Sequence, residues 1–268
     1  MDIKGSKIGI VGGSGWLGGA IASAILDTGV VAPCALSLSY RSHRPDRFDG
    51  AFWTTDNEMI AERSDVIILS VRPQDWPLLR FSAKDKLVIS VMAGVRLPDL
   101  VAQLQTARAV RSLPNAAAEV RKSFTPWIAT GVTDSDRKII DAIFNACGLH
   151  VEVRSEAEID YFTGLTGSGP AFPALLAEAM MNDAIARGID RQTARRAVDA
   201  VFIGAGRLLE TNGSCPSDTI RTFLDYRGTT AAGIEAMVGA GFGKAVARGL
   251  AAAKENSVRM GEPPMHLN

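Results

Sequence analysis

The sequence predicts an α/β domain with a parallel sheet, followed by an all-helical domain. In the first half of the 268 residues, short β-branched runs alternate with helix-like stretches. From residue 156 onward, apolar residues recur at spacings of three and four. The first pattern is typical of βαβ units and the second of amphipathic helices. We therefore expect one domain over residues 1–155 and a second over residues 156–268.

Short apolar runs in the first half are the predicted strands. They are Lys7 to Val11, Ala35 to Tyr40, Val66 to Val71, Leu87 to Val91 and Ala109 to Leu113. A further strand-like stretch, LHVEV, ends just before the expected domain boundary. Ligands of open parallel sheets bind beyond the carboxyl ends of the strands. The residues that end these runs are therefore the first candidates for a functional site.

Apolar stripes in the second half predict long helices. The stripes contain Leu175, Leu176, Ala179 and Met180, and then Ala197, Val198, Val201, Phe202, Ala205, Leu208 and Leu209. Small residues such as Gly204, Gly206 and the run 231–233 would let two helix backbones approach closely. Such contacts serve packing either within one subunit or between two.

Charge and cysteine content exclude several classes of function. The 29 basic and 29 acidic residues cancel, so no overall field attracts nucleic acid or an anionic membrane surface. No apolar run approaches the roughly 18 residues that a membrane span needs, and the N-terminus lacks a signal-peptide pattern. Cys34, Cys147 and Cys215 are far apart and odd in number, which indicates neither a disulfide framework nor a zinc site. We expect no metal, no nucleic acid or membrane partner, and a cytoplasmic location.

A glycine-rich loop follows the first predicted strand. Residues 13–18 read GSGWLG, and a helix-like stretch follows. In this G-x-G-x-x-G pattern, Gly13 and Gly15 allow a tight turn and close approach of a pyrophosphate, while Gly18 allows close helix–strand packing. Gly12 directly precedes the pattern and could take the first of these roles. The sequence therefore predicts a Rossmann-type dinucleotide-binding domain, with a ligand-free turn as the alternative.

The end of the second predicted strand indicates which dinucleotide binds. An enzyme that prefers NAD carries Asp or Glu about 20 residues after the glycine motif, where it accepts a hydrogen bond from the ribose. Here the strand ends in Arg41 and Ser42, and no carboxylate occurs before Asp46. A guanidinium beside a hydroxyl suits a 2′-phosphate. We predict NADPH as the cofactor, with a solvated basic loop as the alternative.

Three further strand ends carry candidate ligand-binding residues. They are Val71-Arg72-Pro73-Gln74, Ala93-Gly94-Val95 and Leu113-Pro114-Asn115. Proline fixes the turn and holds the preceding residue extended, whereas Ala-Gly leaves room for a flat ring. Ordinary turn chemistry is the alternative at each place.

Two segments of the helical half also carry a chemical signal. In TGLTGSGPAF, residues 163–172, Pro170 is placed to begin or reset a helix. Gly228-Thr229-Thr230 forms a hydroxyl-rich helix start, suited to holding a carboxylate on backbone N–H groups. Helix capping alone would also explain the two threonines.

Six segments in order resemble the pyrroline-5-carboxylate reductase family along nearly the whole chain. They are IGIVGGSGWLG, VIILSVRPQ, VISVMAGV, RSLPNAAAEV, DYFTGLTGSGPAF and GTTAAGIEAMVGAGF. The resemblance implies an N-terminal Rossmann-type domain that binds NADPH and a helical dimerisation domain that interlocks with a second subunit. It also implies reduction of a cyclic imine, 1-pyrroline-5-carboxylate, to L-proline, a step of proline biosynthesis.

The resemblance also assigns site residues. By position, the cofactor would be lined by Ser14, Gly15, Trp16, Leu17, Arg41, Ser42, Val71, Arg72, Pro73, Ala93, Gly94 and Asn115, in addition to Gly13 of the motif. Gly228, Thr229 and Thr230 would hold the substrate, with the catalytic Thr230 hydroxyl at the imine nitrogen.

Two departures from the family pattern concern the substrate. The family's Ser-Pro-Gly-Gly-Thr-Thr is here Asp225-Tyr226-Arg227-Gly228-Thr229-Thr230, and its Pro-Asn-Thr-Pro is Pro114-Asn115-Ala116-Ala117. Asp225 would repel a substrate carboxylate if it faced the pocket, whereas Arg227 would attract one. A reductase of a different imine and a non-catalytic NADPH-binding paralogue are therefore the alternatives.

A 3-hydroxyacid dehydrogenase is a further alternative with a similar two-domain plan. Such an enzyme normally places a catalytic lysine on the interdomain helix, yet no lysine occurs between Lys138 and Lys244. His150 is the one imidazole in that stretch, and its setting in GLHVEV predicts a structural role. Arg191, Arg195 and others lie among acids, which is typical of a solvated helix face rather than a nucleic-acid site.

Overall fold

The computed structural model describes residues 5–213 and 215–261, and strands form the centre of its N-terminal part. The eight strands are β1 (Ile8–Val11), β2 (Leu36–Ser39), β3 (Phe52–Thr54), β4 (Val66–Leu69), β5 (Leu87–Ser90), β6 (Arg108–Ser112), β7 (Ser123–Thr130) and β8 (Gly148–Glu152). They form one sheet in the order β3-β2-β1-β4-β5-β6-β7-β8. All neighbours are parallel except β6 and β7, which are antiparallel.

Ten α-helices are described, five between or just after the strands and five in the C-terminal part. They are α1 (Trp16–Asp27), α2 (Asn57–Arg63), α3 (Leu97–Leu104), α4 (Asp134–Cys147), α5 (Glu156–Phe162), α6 (Ala171–Ala186), α7 (Arg191–Asn212), α8 (Pro216–Tyr226), α9 (Thr229–Gly239) and α10 (Phe242–Met260). The predicted fold class, a Rossmann-type α/β domain followed by an all-helical region, is confirmed.

The five apolar runs predicted as strands are confirmed as β1, β2, β4, β5 and β6, and LHVEV contributes to β8. Two strands lie outside the predicted runs. No strand pattern is visible in the sequence for β3, which has only three residues, or for β7, which contains Pro126. The antiparallel pairing of β7 departs from a purely parallel sheet. An antiparallel neighbour can be joined to β6 by a short connection, because it needs no crossover helix.

The two faces of the sheet bury separate apolar clusters. Alternate residues along a strand point to opposite faces, so Ile10 and Ile68 join one cluster while Ile67 and Leu69 join the other. Helices α1 and α4 cover the first face, and α2 and α3 cover the second. Burial on both faces explains why the central strands are continuous apolar runs without alternation.

Contacts divide the chain into two compact units. The first comprises residues 1–168 and 252–268, and the second comprises residues 169–251. Helix α5 belongs to the first unit because Ile159 is buried against Leu113 and Val153, and because Asp160 pairs with Arg111 of β6 at 2.7 Å. The contact-defined unit therefore extends past residue 155.

The second unit has almost no core of its own. Among its described residues, the buried side chains are those of Ala194, Val198 and Ala231. Several of its large apolar side chains are exposed, among them Leu175, Val201, Ile203, Leu208 and Val238. Exposed apolar surface of this extent is uncommon in monomeric proteins and is typical of interaction surfaces.

No helix within residues 5–213 and 215–261 is both long and apolar enough to cross a membrane.

Candidate dinucleotide site

The loop between β1 and α1 is built so that only glycine fits at its critical positions. Gly12 has a φ of +86°, and a Cβ there would lie 2.6 Å from the carbonyl oxygen of Ser70. A Cβ at Gly18 would lie 2.5 Å from the carbonyl oxygen of Gly12. Gly12 therefore makes the tight turn, and Gly18 allows the close packing of α1 against the loop.

Hydrogen bonds hold this loop against β2. The Gly12 amide donates to the Ser39 hydroxyl at 2.9 Å, and the Ser14 amide donates to the Ser39 carbonyl at 3.2 Å. Gly15 is the N-cap residue of α1 and has no capping side chain, and the first turn of the helix carries no acidic residue. The free N–H groups of this turn and the positive end of the helix dipole form a site for an anion.

A cavity of about 460 Å³ opens beside this loop at the carboxyl edge of the sheet. Of the residues that the sequence singles out, it is lined by Gly12, Ser14, Gly15, Arg41, Val71 and Arg72. These come from three neighbouring strand ends, those of β1, β2 and β4. The structure thus brings together residues that are far apart in the sequence.

Other predicted residues lie around the cavity without lining it. Gly13 is buried, with the Leu38 side chain 2.6 Å from the place of a Cβ. Trp16 is 61% exposed and its indole N–H donates to the Glu119 carboxylate. Leu17 packs against the core, Ser42 is exposed, and Pro73 begins a 3₁₀-helix that extends to Leu78.

Five residues outside the predicted strands and site residues also line the cavity, namely Thr55, Asn57, Asp75, Leu78 and Leu79. Thr55 and Asn57 follow β3, whose short length hid the strand. Their position just after a strand end is the signal that would have identified them. Asp75 lies two residues after Pro73, directly after the predicted segment that ends at Gln74.

Arg41 and Asp75 form an ion pair at the mouth of this cavity. The Nη2 atom of Arg41 lies 2.8 Å from Oδ2 of Asp75. The Arg41 side chain is 78% exposed, whereas that of Asp75 is 21% exposed. The guanidinium is therefore available to a ligand in solution.

Three further predicted residues contact other parts of the first unit. Ala93 and Gly94 follow β5, and Asn115 follows β6. Gly94 has a φ of +77°, and a Cβ there would lie 2.8 Å from the backbone of Met260 in α10. The Asn115 side chain accepts from the Ala117 amide at 2.9 Å and donates to the Thr166 carbonyl at 2.8 Å. In this structure Asn115 thus fixes the chain after β6.

The segment TGLTGSGPAF folds as predicted at its proline. Thr163–Gly167 forms one turn of π-helix, and Pro170 then begins α6. The Thr166 hydroxyl donates to the Phe162 carbonyl at 3.0 Å, and the Ser168 hydroxyl donates to the Thr163 carbonyl at 3.2 Å. These hydroxyls stabilise the local turn.

In the second unit, Gly228 is the N-cap residue of α9, and Thr229 and Thr230 are the first two residues of that helix. Gly228 provides no side-chain cap, the first turn holds no acid, and both threonines are exposed. The N-cap position is thus taken by a glycine, and the two threonines follow it rather than occupy it. Arg227 adopts a φ of +53°, which glycine adopts without strain.

Two titratable residues, His150 and Cys147, lie outside the cavity, and the contacts of each indicate a structural role. His150 Nδ1 accepts from the indole N–H of Trp127 at 3.2 Å, in agreement with the structural role predicted for it. Burial raises the pKa of the Cys147 thiol to about 12, so it stays protonated at neutral pH. Neither residue is placed to act as a base at the cavity.

The glycine loop, the free helix N-terminus and the cavity at the carboxyl edge of a parallel sheet define a dinucleotide-binding protein of the Rossmann class. Residues 156–260 match the family model for pyrroline-5-carboxylate reductase dimerisation. Residues 7–94 match the model for NADP oxidoreductase, coenzyme F420-dependent. The pyrroline-5-carboxylate reductase of Methanosarcina acetivorans is 34% identical, over 97% of this chain and 100% of its own length. The chain belongs to the pyrroline-5-carboxylate reductase family.

Further relatives and solved structures agree with this assignment. The pyrroline-5-carboxylate reductase of Arabidopsis thaliana is 30% identical, with 94% of each chain covered. The solved pyrroline-5-carboxylate reductase of Coxiella burnetii has a TM-score of 0.85 at 27% identity and covers 96% of this chain and 99% of its own. The pyrroline carboxylate reductase of Plasmodium falciparum, solved with NADP bound, has a TM-score of 0.83 at 23% identity, over 97% and 99%. This last likeness shows the shared fold.

Proposed function

We propose that this chain is an NADP-dependent oxidoreductase that reduces the C=N bond of a cyclic imine, converting 1-pyrroline-5-carboxylate to L-proline. The observation that carries this proposal is the 34% identity to a pyrroline-5-carboxylate reductase over its full length. We assign cofactor binding to residues 1–155, and substrate binding and dimerisation to residues 156–268. The free cysteines among the described residues support a cytoplasmic location.

The residues around the glycine loop fit a dinucleotide. A Cβ at Gly12 or Gly18 would fill the space in which the loop turns, and the free N–H groups of α1 suit a pyrophosphate. We propose that the cofactor is held by Gly13, Ser14, Gly15, Trp16, Leu17, Arg41, Ser42, Val71, Arg72, Pro73, Ala93, Gly94 and Asn115. When bound, NADPH supplies the hydride that the electrophilic imine carbon accepts.

The chain's own residues then hold and polarise the imine. We assign substrate binding to Gly228, Thr229 and Thr230, because the uncapped N-terminus of α9 offers free N–H groups to a carboxylate. The Thr230 hydroxyl donates a hydrogen bond to the imine nitrogen, which makes the adjacent carbon a better hydride acceptor. No strong general base is needed, since the nitrogen gains a proton in this reaction.

The Thr230→Ala variant tests this role. We expect turnover to fall about 100-fold, in the range that one polarising donor supplies, while the Kd for NADPH stays the same. Thr222→Ala is the matched control, because the Thr222 hydroxyl donates to a backbone carbonyl within α8 at 3.0 Å. Steady-state kinetics and cofactor titration measure the two quantities. Unchanged turnover in Thr230→Ala would remove this residue from the mechanism.

The Arg41→Ala variant tests the assignment of the 2′-phosphate. We expect the Kd for NADPH to rise about 10-fold to 100-fold, the loss of one charge-assisted hydrogen-bonding group, while the Kd for NADH changes little. Arg154→Ala is the control, because Arg154 is an exposed arginine paired with Glu158 and does not line the cavity. An equal loss of affinity for both cofactors would contradict the assignment.

The altered substrate loop favours a second candidate, reduction of a different cyclic imine. Asp225 and Arg227 are exposed beside the start of α9, where the family carries Ser and Gly. Assays with the six-membered piperideine carboxylates and simple cyclic imines, run beside 1-pyrroline-5-carboxylate, separate the two candidates. The substrate with the highest kcat/KM identifies the reaction.

We propose a homodimer or a larger homo-oligomer as the working form. Two observations support it: the match of residues 156–260 to a dimerisation model, and the scarcity of buried side chains in the second unit. We expect sedimentation at micromolar concentration to give at least a dimer. A monomer under those conditions would contradict the proposal.

A further inference from the structure

A carboxylate lies beside the guanidinium that we assign to the 2′-phosphate of the cofactor. Asp75 is the one acidic residue among the described residues that line the cavity, together with the cations Arg41 and Arg72. Its carboxylate lies 2.8 Å from the Arg41 guanidinium. A carboxylate in an anion-binding site requires an explanation, because it repels a phosphate group.

The two partners of this pair are held differently. Asp75 lies in the 3₁₀-helix Pro73–Leu78, its amide donates to the Arg72 carbonyl at 2.9 Å, and its side chain is 21% exposed. The Arg41 side chain is 78% exposed. An ion pair with one such exposed partner contributes little stability, so Arg41 can exchange the carboxylate for a phosphate. After that exchange the Asp75 carboxylate stays close to the phosphate.

The same carboxylate can accept a hydrogen bond from a ribose hydroxyl. Enzymes that prefer NAD use an Asp or Glu at the end of the second strand for this contact. Here the second strand supplies Arg41, and the carboxylate arrives from the segment after β4. The cavity therefore holds a cation that suits a 2′-phosphate and an acceptor that suits a 2′-hydroxyl.

We propose that Asp75 is a specificity-determining residue that lowers the ratio of NADPH affinity to NADH affinity. It repels the 2′-phosphate and accepts a hydrogen bond from the 2′-hydroxyl. This inference rests on the proposed function, because it assumes that Arg41 faces the cofactor ribose.

The test is titration calorimetry of the full-length protein with NADPH and NADH, and with 2′,5′-ADP and 5′-AMP, which differ only in the 2′-phosphate. For Asp75→Asn we expect NADPH and 2′,5′-ADP to bind about 3-fold to 10-fold more tightly at low salt, and NADH to bind no more tightly. Asp99→Asn is the control, since Asp99 is an exposed carboxylate in the first turn of α3, away from this cavity. It should leave all four affinities unchanged.

A double variant separates direct repulsion from an effect through Arg41. In the Arg41→Ala background, Asp75→Asn should still strengthen binding of 2′,5′-ADP, because the repulsion does not require the guanidinium. No effect in that background would overturn the inference.

Other results would overturn the inference in distinguishable ways. An unchanged ratio of NADPH to NADH affinity in Asp75→Asn would show that the carboxylate does not discriminate. Weaker NADPH binding in that variant would show that Asp75 instead orients Arg41. Failure of the wild-type protein to bind either NADPH or 2′,5′-ADP would overturn the proposed function and this inference together.

Discussion

In the Gly12→Ala variant, the Kd for NADPH is expected to rise about 100-fold or more. At φ +86° an alanine is strained by about 1–2 kcal/mol, and its Cβ would lie 2.6 Å from the Ser70 carbonyl oxygen. Both atoms of this clash belong to the backbone or are fixed to it, so the loop itself must move. The Gly12 carbonyl oxygen also lies only 2.5 Å from the place of a Cβ at Gly18, so a shift at Gly12 displaces the start of α1.

Gly29→Ala is the matched control for this prediction. Gly29 also has a positive φ, +69°, and follows the same helix, but a Cβ there meets no atom within 4 Å. It should therefore lower stability by about 1–2 kcal/mol without changing the Kd for NADPH. Cofactor titration by fluorescence measures binding, and circular dichroism checks that each variant is folded. A folded Gly12→Ala variant with wild-type affinity would contradict the account of the loop.

The Arg111→Met variant is expected to lower the free energy of unfolding by about 3–5 kcal/mol. Arg111 lies in β6 with its side chain 1% exposed, and it pairs with Asp160 at 2.7 Å and with Glu156. The Ser257 hydroxyl donates to the Asp160 carboxylate at 3.1 Å, so the cluster joins β6, α5 and α10. Removal of the arginine leaves the Asp160 carboxylate buried without its cation, which is the costly change.

Two comparisons make this prediction specific. Arg154→Met breaks an exposed pair with Glu158 and should lower stability by less than about 1 kcal/mol. The double variant Arg111→Met with Asp160→Leu should be more stable than the sum of the two single changes predicts, since no buried charge is left alone. Urea unfolding of the wild-type protein, the three single variants and the double variant measures these differences. A loss below about 1 kcal/mol for Arg111→Met would contradict the assigned role of the cluster.

The sequence predicted those parts of the molecule that depend on local patterns. The β-branched runs identified five strands, and the spacing of Gly13, Gly15 and Gly18 identified the loop before α1. Pro170 identified the start of α6. In each case the residues of one short segment determine the local backbone conformation, so the segment can be recognised without knowledge of the rest of the fold.

The rest of the candidate site depends on long-range pairing, which one sequence does not display. Asp75 reaches Arg41 only because β4 and β2 both flank β1 in the sheet. The burial of the Arg111 side chain in β6 likewise depends on Asp160, which comes from α5. Thr55 and Asn57 were missed because β3 is too short to show a periodic pattern.

The most direct test of the central claim is NADPH oxidation by the purified full-length protein with 1-pyrroline-5-carboxylate, followed by detection of proline. The account predicts turnover that depends on the imine, produces one proline for each NADPH oxidised, and is faster with NADPH than with NADH. Tight binding of NADPH without oxidation, by any cyclic imine of the panel, would contradict the claim and identify a non-catalytic NADPH-binding protein.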